Sequence, residues 1–180
     1  PSSFSIRVGS PIIDFIISNN NKFVAISSED NFLRIWKIED SANSKFELEF
    51  DSAVNSLHHV QGSNLIVAGC ASGRIYIIDQ EKGIFTDHLK MQGRGPCIDV
   101  ATNSFGHIAA IFKTASGSYS AAFELSTGRP ITGELNNGTT VTKIEFTHDG
   151  TQIICLPSAQ EKNDDLIQYH DNVATIWPIS

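Results

Sequence analysis

A strand-like run at residues 33–38 alternates strictly between two faces. It follows a shorter apolar run, 23–26, across the polar turn Ser28-Glu29-Asp30-Asn31. β-Branched and aromatic residues on both sides of a short Asp/Asn turn predict a hairpin. This pattern recurs along the chain, and the recurrence constrains the fold more than any other feature. With Trp36 as anchor, residues 69–79 align without a gap and put Ile78 at the Trp position. Residues 118–125 put Phe123 there, and residues 169–177 put Trp177 there. The intervals between anchors are 42, 45 and 54 residues. The excess in the last coincides with a polar run, 159–165, which reads as a loop insertion.

The material around each anchor repeats too. Residues 12–16, 54–58, 97–101 and 141–146 each read as a strand, and each leads into a turn at 19–22, 61–64, 103–106 and 148–151. A further strand-like run follows each of the first three anchors, at 46–50, 84–89 and 130–135. Each unit is therefore four short strands, a to d, and an interval of about 40–45 residues is that of one propeller blade. The expectation is an all-β chain of about four blade equivalents, a β-propeller of four-stranded antiparallel blades that forms part of a larger ring of about seven. Blade 1 is placed at about 11–50, blade 2 at 53–90, blade 3 at 96–135 and blade 4 at 140–180. Residues 1–10 hold a short alternating run, 4–8, that reads as the outer strand of a preceding or closing blade.

These residues resemble the WD-repeat family of β-propellers, whose repeat runs roughly S-x-D-G-x-[IV]-[RK]-[IVL]-W-D. Ser28, Asp30, Arg34, Ile35 and Trp36 carry the resemblance in the first unit, and Gly73, Ile75, Ile77 and Asp79 in the second. Phe123, Thr127 and Gly128 match in the third, and Asp171, Asn172, Ile176 and Trp177 in the fourth. The Gly-His pair that precedes strand a in the family is missing from every unit; Ser10-Pro11, Ser52-Ala53, Gly95-Pro96 and Thr139-Thr140 stand near its place. In the family that His joins a Ser, an Asp and the Trp in a buried network. The resemblance therefore implies structural roles for Ser28, Asp30, Trp36, Ile78, Phe123, Asp171 and Trp177, and a diverged propeller held mainly by apolar packing.

The 180 residues are enough for one domain with a core, and 41% of them are hydrophobic against 18% charged. No apolar run approaches the 18 or so residues that would span a bilayer. No signal or transit pattern opens the sequence, so an intracellular protein, cytoplasmic or nuclear, is expected. Pro1 reads as the start of a cut or processed piece. The net charge of −7 comes with scattered Lys and Arg, whereas phosphate-backbone binding needs a clustered basic patch. Cys70, Cys97 and Cys155 include no C-x-x-C and read as small buried hydrophobes of a reducing compartment. Asn137-Gly138-Thr139 has the spacing of a glycosylation sequon but reads as a turn.

No motif points to catalysis, a metal or a cofactor. His58 and His59 are adjacent on a strand and so point to opposite faces. Gly93-Arg94-Gly95 lacks the remainder of a phosphate loop and a following helix. The acidic run 161–165 lacks calcium-loop spacing, and no G-x-S-x-G occurs. The expected function is a non-catalytic platform that holds partner subunits or peptides in a multiprotein complex. Further blades, from the same or another chain, are also expected as partners. The face carrying the d–a and b–c connections is expected to bind, through Glu29, Ala71, Arg94, Ser116 and His170. Arg94, between two glycines, is its best single candidate, free to form a bidentate pair with a carboxylate. Two alternatives belong to other classes. One is an enzyme whose site lies over the channel, where Asp14 and Asp99 are the carboxylates at matching positions one blade apart. The other is an RNA-binding subunit of a ribonucleoprotein.

Overall fold

The computed structural model describes residues 5–39, 45–86, 91–92, 95–138, 140–157 and 174–179. They form four antiparallel sheets in chain order, each a simple meander. Blade 1 holds β1 (Ile12–Ile17), β2 (Phe23–Ser28), β3 (Phe32–Lys37) and β4 (Phe46–Glu49). Blade 2 holds β5 (Val54–His59), β6 (Leu65–Cys70), β7 (Arg74–Asp79) and β8 (Ile84–Phe85), with β9 (Met91–Gln92) also paired to β7. Blade 3 holds β10 (Cys97–Thr102), β11 (His107–Thr114), β12 (Gly117–Glu124) and β13 (Leu135–Asn136), and blade 4 holds β14 (Val141–Phe146), β15 (Gln152–Pro157) and β16 (Thr175–Pro178). No helix among the described residues is long and apolar enough to cross a membrane.

The turns follow from local chemistry. The β2–β3 turn places Asn31 at φ 65°, and Gly73 takes the same place in the β6–β7 turn at φ 82°. Only Gly, and less readily Asn, enters this left-handed region without a steric penalty. That is why the two hairpins align in sequence without a gap.

The core lies between the sheets rather than inside any one of them. Phe23, Ala25, Leu33 and Ile35 of blade 1 pack on Val54, Leu57, Ile66 and Ile78 of blade 2. Val67, Ile75 and Ile77 of blade 2 pack on Cys97, Val100 and Ile108 of blade 3. Ala109 and Ile111 of blade 3 pack on Val141, Ile144, Ile153 and Cys155 of blade 4. A b strand is therefore covered on both faces, and all six residues of β2 are buried.

Two expectations are revised. Residues 5–8 form no strand; instead Ile6 and Val8 rest on Val24, Ile26 and Trp36 of blade 1. An alternating pattern fixes which side chains are covered, but the backbone partner is a long-range matter the pattern does not specify. The outer strand of blade 3 is shorter than 130–135: only Leu135–Asn136 pairs with β12, with a lone bridge between Pro130 and Phe123. Pro130 has no N–H to donate, so it cannot continue the ladder. The insertion at 159–165 and Phe4 lie outside the described residues.

Burial sets the cost of truncation. Phe112 is fully buried between blades 2 and 3 and stacks on Tyr119. Phe112→Ala is expected to cost about 3–5 kcal/mol in urea unfolding. Phe105→Ala, at an exposed ring, should cost less than about 1 kcal/mol.

Candidate binding site

The innermost strands carry a repeated irregularity. Each of β1, β5, β10 and β14 has a bulge at its second residue, where Ile13, Asn55, Ile98 and Thr142 are extra to the ladder. A bulge re-aims the side chain that follows it. Here it turns the third residue of the strand toward the next blade. Asp14 Oδ2 accepts the Leu57 N–H at 2.7 Å, Ser56 Oγ accepts the Val100 N–H at 3.3 Å, and Asp99 Oδ2 accepts the Ile144 N–H at 2.9 Å. Every acceptor is a third residue, and every donor is the fourth residue of the following inner strand. Ser56 Oγ also donates to Asp99 Oδ1 at 2.7 Å, and Lys143 Nζ lies 3.4 Å from Asp99 Oδ2.

The reading of Asp14 and Asp99 as a carboxylate pair is therefore corrected. They stand in blades 1 and 3, with Ser56 between them; groups of neighbouring inner strands occupy both Asp99 oxygens and Asp14 Oδ2, and the Phe15 N–H of its own strand occupies Asp14 Oδ1. Asp99 is almost wholly buried. A carboxylate so held joins one blade to the next.

The b–c turns place Glu29, Ala71 and Ser116 on one face, with Glu29 and Ser116 exposed. Arg94, His170 and Asp171 lie outside the described residues. Beneath Glu29, the buried Ser28 donates to Asp30 Oδ1 at 2.6 Å, and Arg34 grips both Asp30 oxygens at 2.8 and 3.3 Å. The Arg34 guanidinium, aided by the Ser28 hydroxyl and the Phe32 N–H, holds the Asp30 carboxyl down at about 2 against the opposing effect of desolvation. In blade 2, Arg74 pairs with Asp51 at 2.5 Å. The charges of this face are thus largely paired with one another.

The four anchors share one register. Trp36, Ile78, Phe123 and Trp177 lie opposite Val24, Ile66, Ile108 and Ile153, each the second residue of its b strand. The Trp177 indole N–H donates to Asn137 Oδ1 at 3.2 Å. Asn137 Nδ2 in turn reaches Ser120 Oγ at 2.9 Å. Asn137, buried just before strand a of blade 4, thus links Trp177 of blade 4 to Ser120 of blade 3. Sequence reading missed it because the expected signal was a Gly-His pair.

An apolar cavity opens on the opposite side. A cleft of about 460 Å³ runs between blades 2 and 3, beside the a–b and c–d turns. Leu65, Ile77, Phe105 and Leu125 form its apolar wall, and His107 and Glu124 its polar rim. The Phe105 ring is held over the blade 4 turn, where a Cβ on Gly150 would come within 2.4 Å of it; Gly150 also sits at φ +68°. None of these residues was singled out from the sequence as a binding residue. Phe105 follows Asn103-Ser104 in the turn, and an exposed aromatic in a turn was the one signal available. Burial pushes the thiol of Cys70 up to about 12, and those of Cys97 and Cys155 upward as well, so none is a ready nucleophile. Among the described residues no three His, Cys, Asp or Glu side chains gather as a metal site.

Residues 5–37 match the family model described as WD domain, G-beta repeat. Among solved structures, the computationally designed Ika4 protein is similar, with a TM-score of 0.77 at 16% identity over 98% of this chain and 96% of that one. A chain of a mitotic checkpoint complex is similar with a TM-score of 0.72 at 14% identity, over 94% of this chain and 51% of that one. This chain thus spans about half the length of the checkpoint-complex chain. A comparison with curated proteins gave no match. The fold is that of a β-propeller built from antiparallel blades, three of them with four consecutive strands and the fourth with three among the described residues. Within that fold, residues 5–37 of the first blade match a WD repeat.

Two polar groups at the blade junctions make testable contributions. Asp99→Ala leaves the Ile144 N–H and the Ser56 hydroxyl without their acceptor, and should destabilise by about 1–3 kcal/mol in denaturant unfolding. His59 is buried, with Nδ1 3.1 Å from the Val60 carbonyl and Nε2 3.0 Å from the Gln80 amide. The carbonyl puts the hydrogen on Nδ1, so Nε2 accepts from Gln80 and a second proton would face an amide donor. Burial lowers the His59 pKa below 6.5. The unfolded chain then takes up the proton first, so this contribution is intact above pH 6.5 and is lost as pH falls through the folded-state value. Urea midpoints should drop between pH 7.5 and 5, and the drop should be smaller in His59→Gln.

Proposed function

We propose that this chain is a non-catalytic platform for protein partners in a multiprotein complex, and that it holds a peptide segment of a partner in the cleft between blades 2 and 3. The cleft is the observation that carries this reading. Its wall of Leu65, Ile77, Phe105 and Leu125 is apolar, its rim is polar, and it sits on rigid sheets, which is the usual form of a recognition site. The segment it fits has an apolar anchor, leucine or aromatic, beside a basic residue that meets Glu124. The net charge of −7 favours the same sign of partner and disfavours a phosphate backbone. Glu29, Ala71 and Ser116, with Arg94 and His170, form a second proposed contact face, and further blades from the same or another chain are proposed neighbours. The proposed setting is the cytoplasm or nucleus, where buried cysteines stay as thiols.

The test compares partners recovered on the tagged full-length protein and on two variants. Phe105→Asp alters an exposed ring of the cleft, whereas Glu29→Lys with Ser116→Lys alters the turn face. Partners recovered on the wild type should fall about tenfold or more with Phe105→Asp, as loss of an aromatic anchor does, and persist with the turn-face variant. Partners that bind Phe105→Asp as well as wild type would remove the cleft from the reading.

A further inference from the structure

The polar groups at the rim of the cleft are not equally committed. Asn103, in the a–b turn of blade 3, is buried, and its Oδ1 accepts the N–H groups of Phe105 and His107, each at 3.0 Å. Two backbone donors on one oxygen settle which end of the amide is which. The other end, Nδ2, is therefore a donor, and it lies 3.2 Å from His107 Nδ1. A donor facing Nδ1 needs a lone pair there, so the hydrogen of the neutral ring sits on Nε2. His107 lines the cleft. With Nδ1 taken up by its own turn, Nε2–H is the polar group by which this ring acts on an occupant.

His107 opens β11 and stands directly opposite Glu124, which closes β12. Cross-strand partners share a face of the sheet, with Cβ atoms about 5 Å apart. Glu124 Oε2 accepts the Thr127 hydroxyl, and a carboxylate keeps further acceptor sites beyond one such bond. The rim thus sets a neutral donor beside an anionic acceptor, over the wall of Leu65, Ile77, Phe105 and Leu125. An apolar side chain answers the wall, and a basic one answers Glu124. Neither supplies an acceptor to His107. The main chain of the same segment does, since every residue carries a carbonyl.

We infer that His107 is a specificity-determining residue of the cleft. Its Nε2–H donates to a main-chain carbonyl of the bound segment, between the apolar anchor and the basic residue, and Asn103 is the positioning residue that holds the hydrogen on Nε2. The inference rests on the cleft being the peptide site proposed above. A ring fixed in one tautomer by its own turn is preorganised, so binding does not have to reorder it. It also selects against a segment that brings an N–H to the same place, where two donors would face each other.

The probe is a peptide selected from a displayed library of random sequences on the tagged full-length protein, and then synthesised. Wild type should select an apolar anchor beside a basic residue, and Phe105→Asp should weaken the selected peptide about tenfold or more. If no selected peptide depends on Phe105, the cleft reading falls and this inference falls with it. The other variants test the inference alone. His107→Phe keeps a ring without a donor and should raise the peptide Kd about fivefold or more, as loss of one neutral hydrogen bond does. His107→Gln restores an N–H and should recover most of the affinity. Asn103→Asp keeps the oxygen that accepts from Phe105 and His107 but puts a second oxygen where Nδ2 stood, which draws the hydrogen to Nδ1. It should weaken the peptide as His107→Phe does, with the circular dichroism spectrum unchanged. Long-range proton–nitrogen correlation spectra at pH 8.5 read the neutral ring, and the His107 signals are those absent from His107→Gln. They should show the Nε2–H tautomer in wild type and the Nδ1–H tautomer in Asn103→Asp. Undiminished affinity in His107→Phe while Phe105→Asp is defective, or an Nδ1–H tautomer in wild type, would overturn the inference and leave the cleft reading standing.

Discussion

Four sheets can stack side by side only if something fixes how the inner edge of one meets the inner edge of the next. In this chain that role falls to the bulge at the second residue of each inner strand. The extra residue turns the third side chain out of the ladder and into the seam between blades. There Asp14, Ser56 and Asp99 each take an N–H that the neighbouring inner strand presents. A buried amide left without a partner would cost more than the bond itself contributes, so the contact specifies register as well as adding stability. Apolar packing supplies the bulk of the attraction, but it is non-directional.

The same constraint explains which polar groups the framework uses. The carboxylates nearest the axis are committed to junctions. The b–c turns are committed to local ion pairs, Asp30 with Arg34 and Asp51 with Arg74. What remains unspent lies away from both, in the flank between blades 2 and 3. There the exposed Phe105 and the half-buried Leu125 border a cleft beside Glu124. The position follows from geometry, since neighbouring sheets that meet closely at their inner edges diverge toward the outside.

The polar network at the last junction shows a different economy. The resembled repeat uses a His before strand a to engage the anchor Trp. Here Asn137 offers a carbonyl to the Trp177 indole and an amide to Ser120. One side chain with both an acceptor and donors can replace an imidazole wherever the hydroxyl is placed to receive it.

The repeat of strands, the hairpin turns and the anchor register were legible in the sequence. Period-2 alternation and turn residues such as Asn31 and Gly73 are local signals with local causes. The four-bladed organisation followed from the 42- and 45-residue intervals for the same reason. The inner-strand bulges, the junction roles of Asp14 and Asp99, Asn137 as the partner of Trp177, and the cleft at Phe105 were decided only by the tertiary structure. Each depends on which residues of one blade come to face another some 40 positions away in the chain. Alternation tells which side chains are buried, but a bulge shifts that phase by one residue without any mark in composition. Whether an Asp acts as a base or ties two strands together depends on whether an N–H stands opposite it, and that N–H belongs to the next blade.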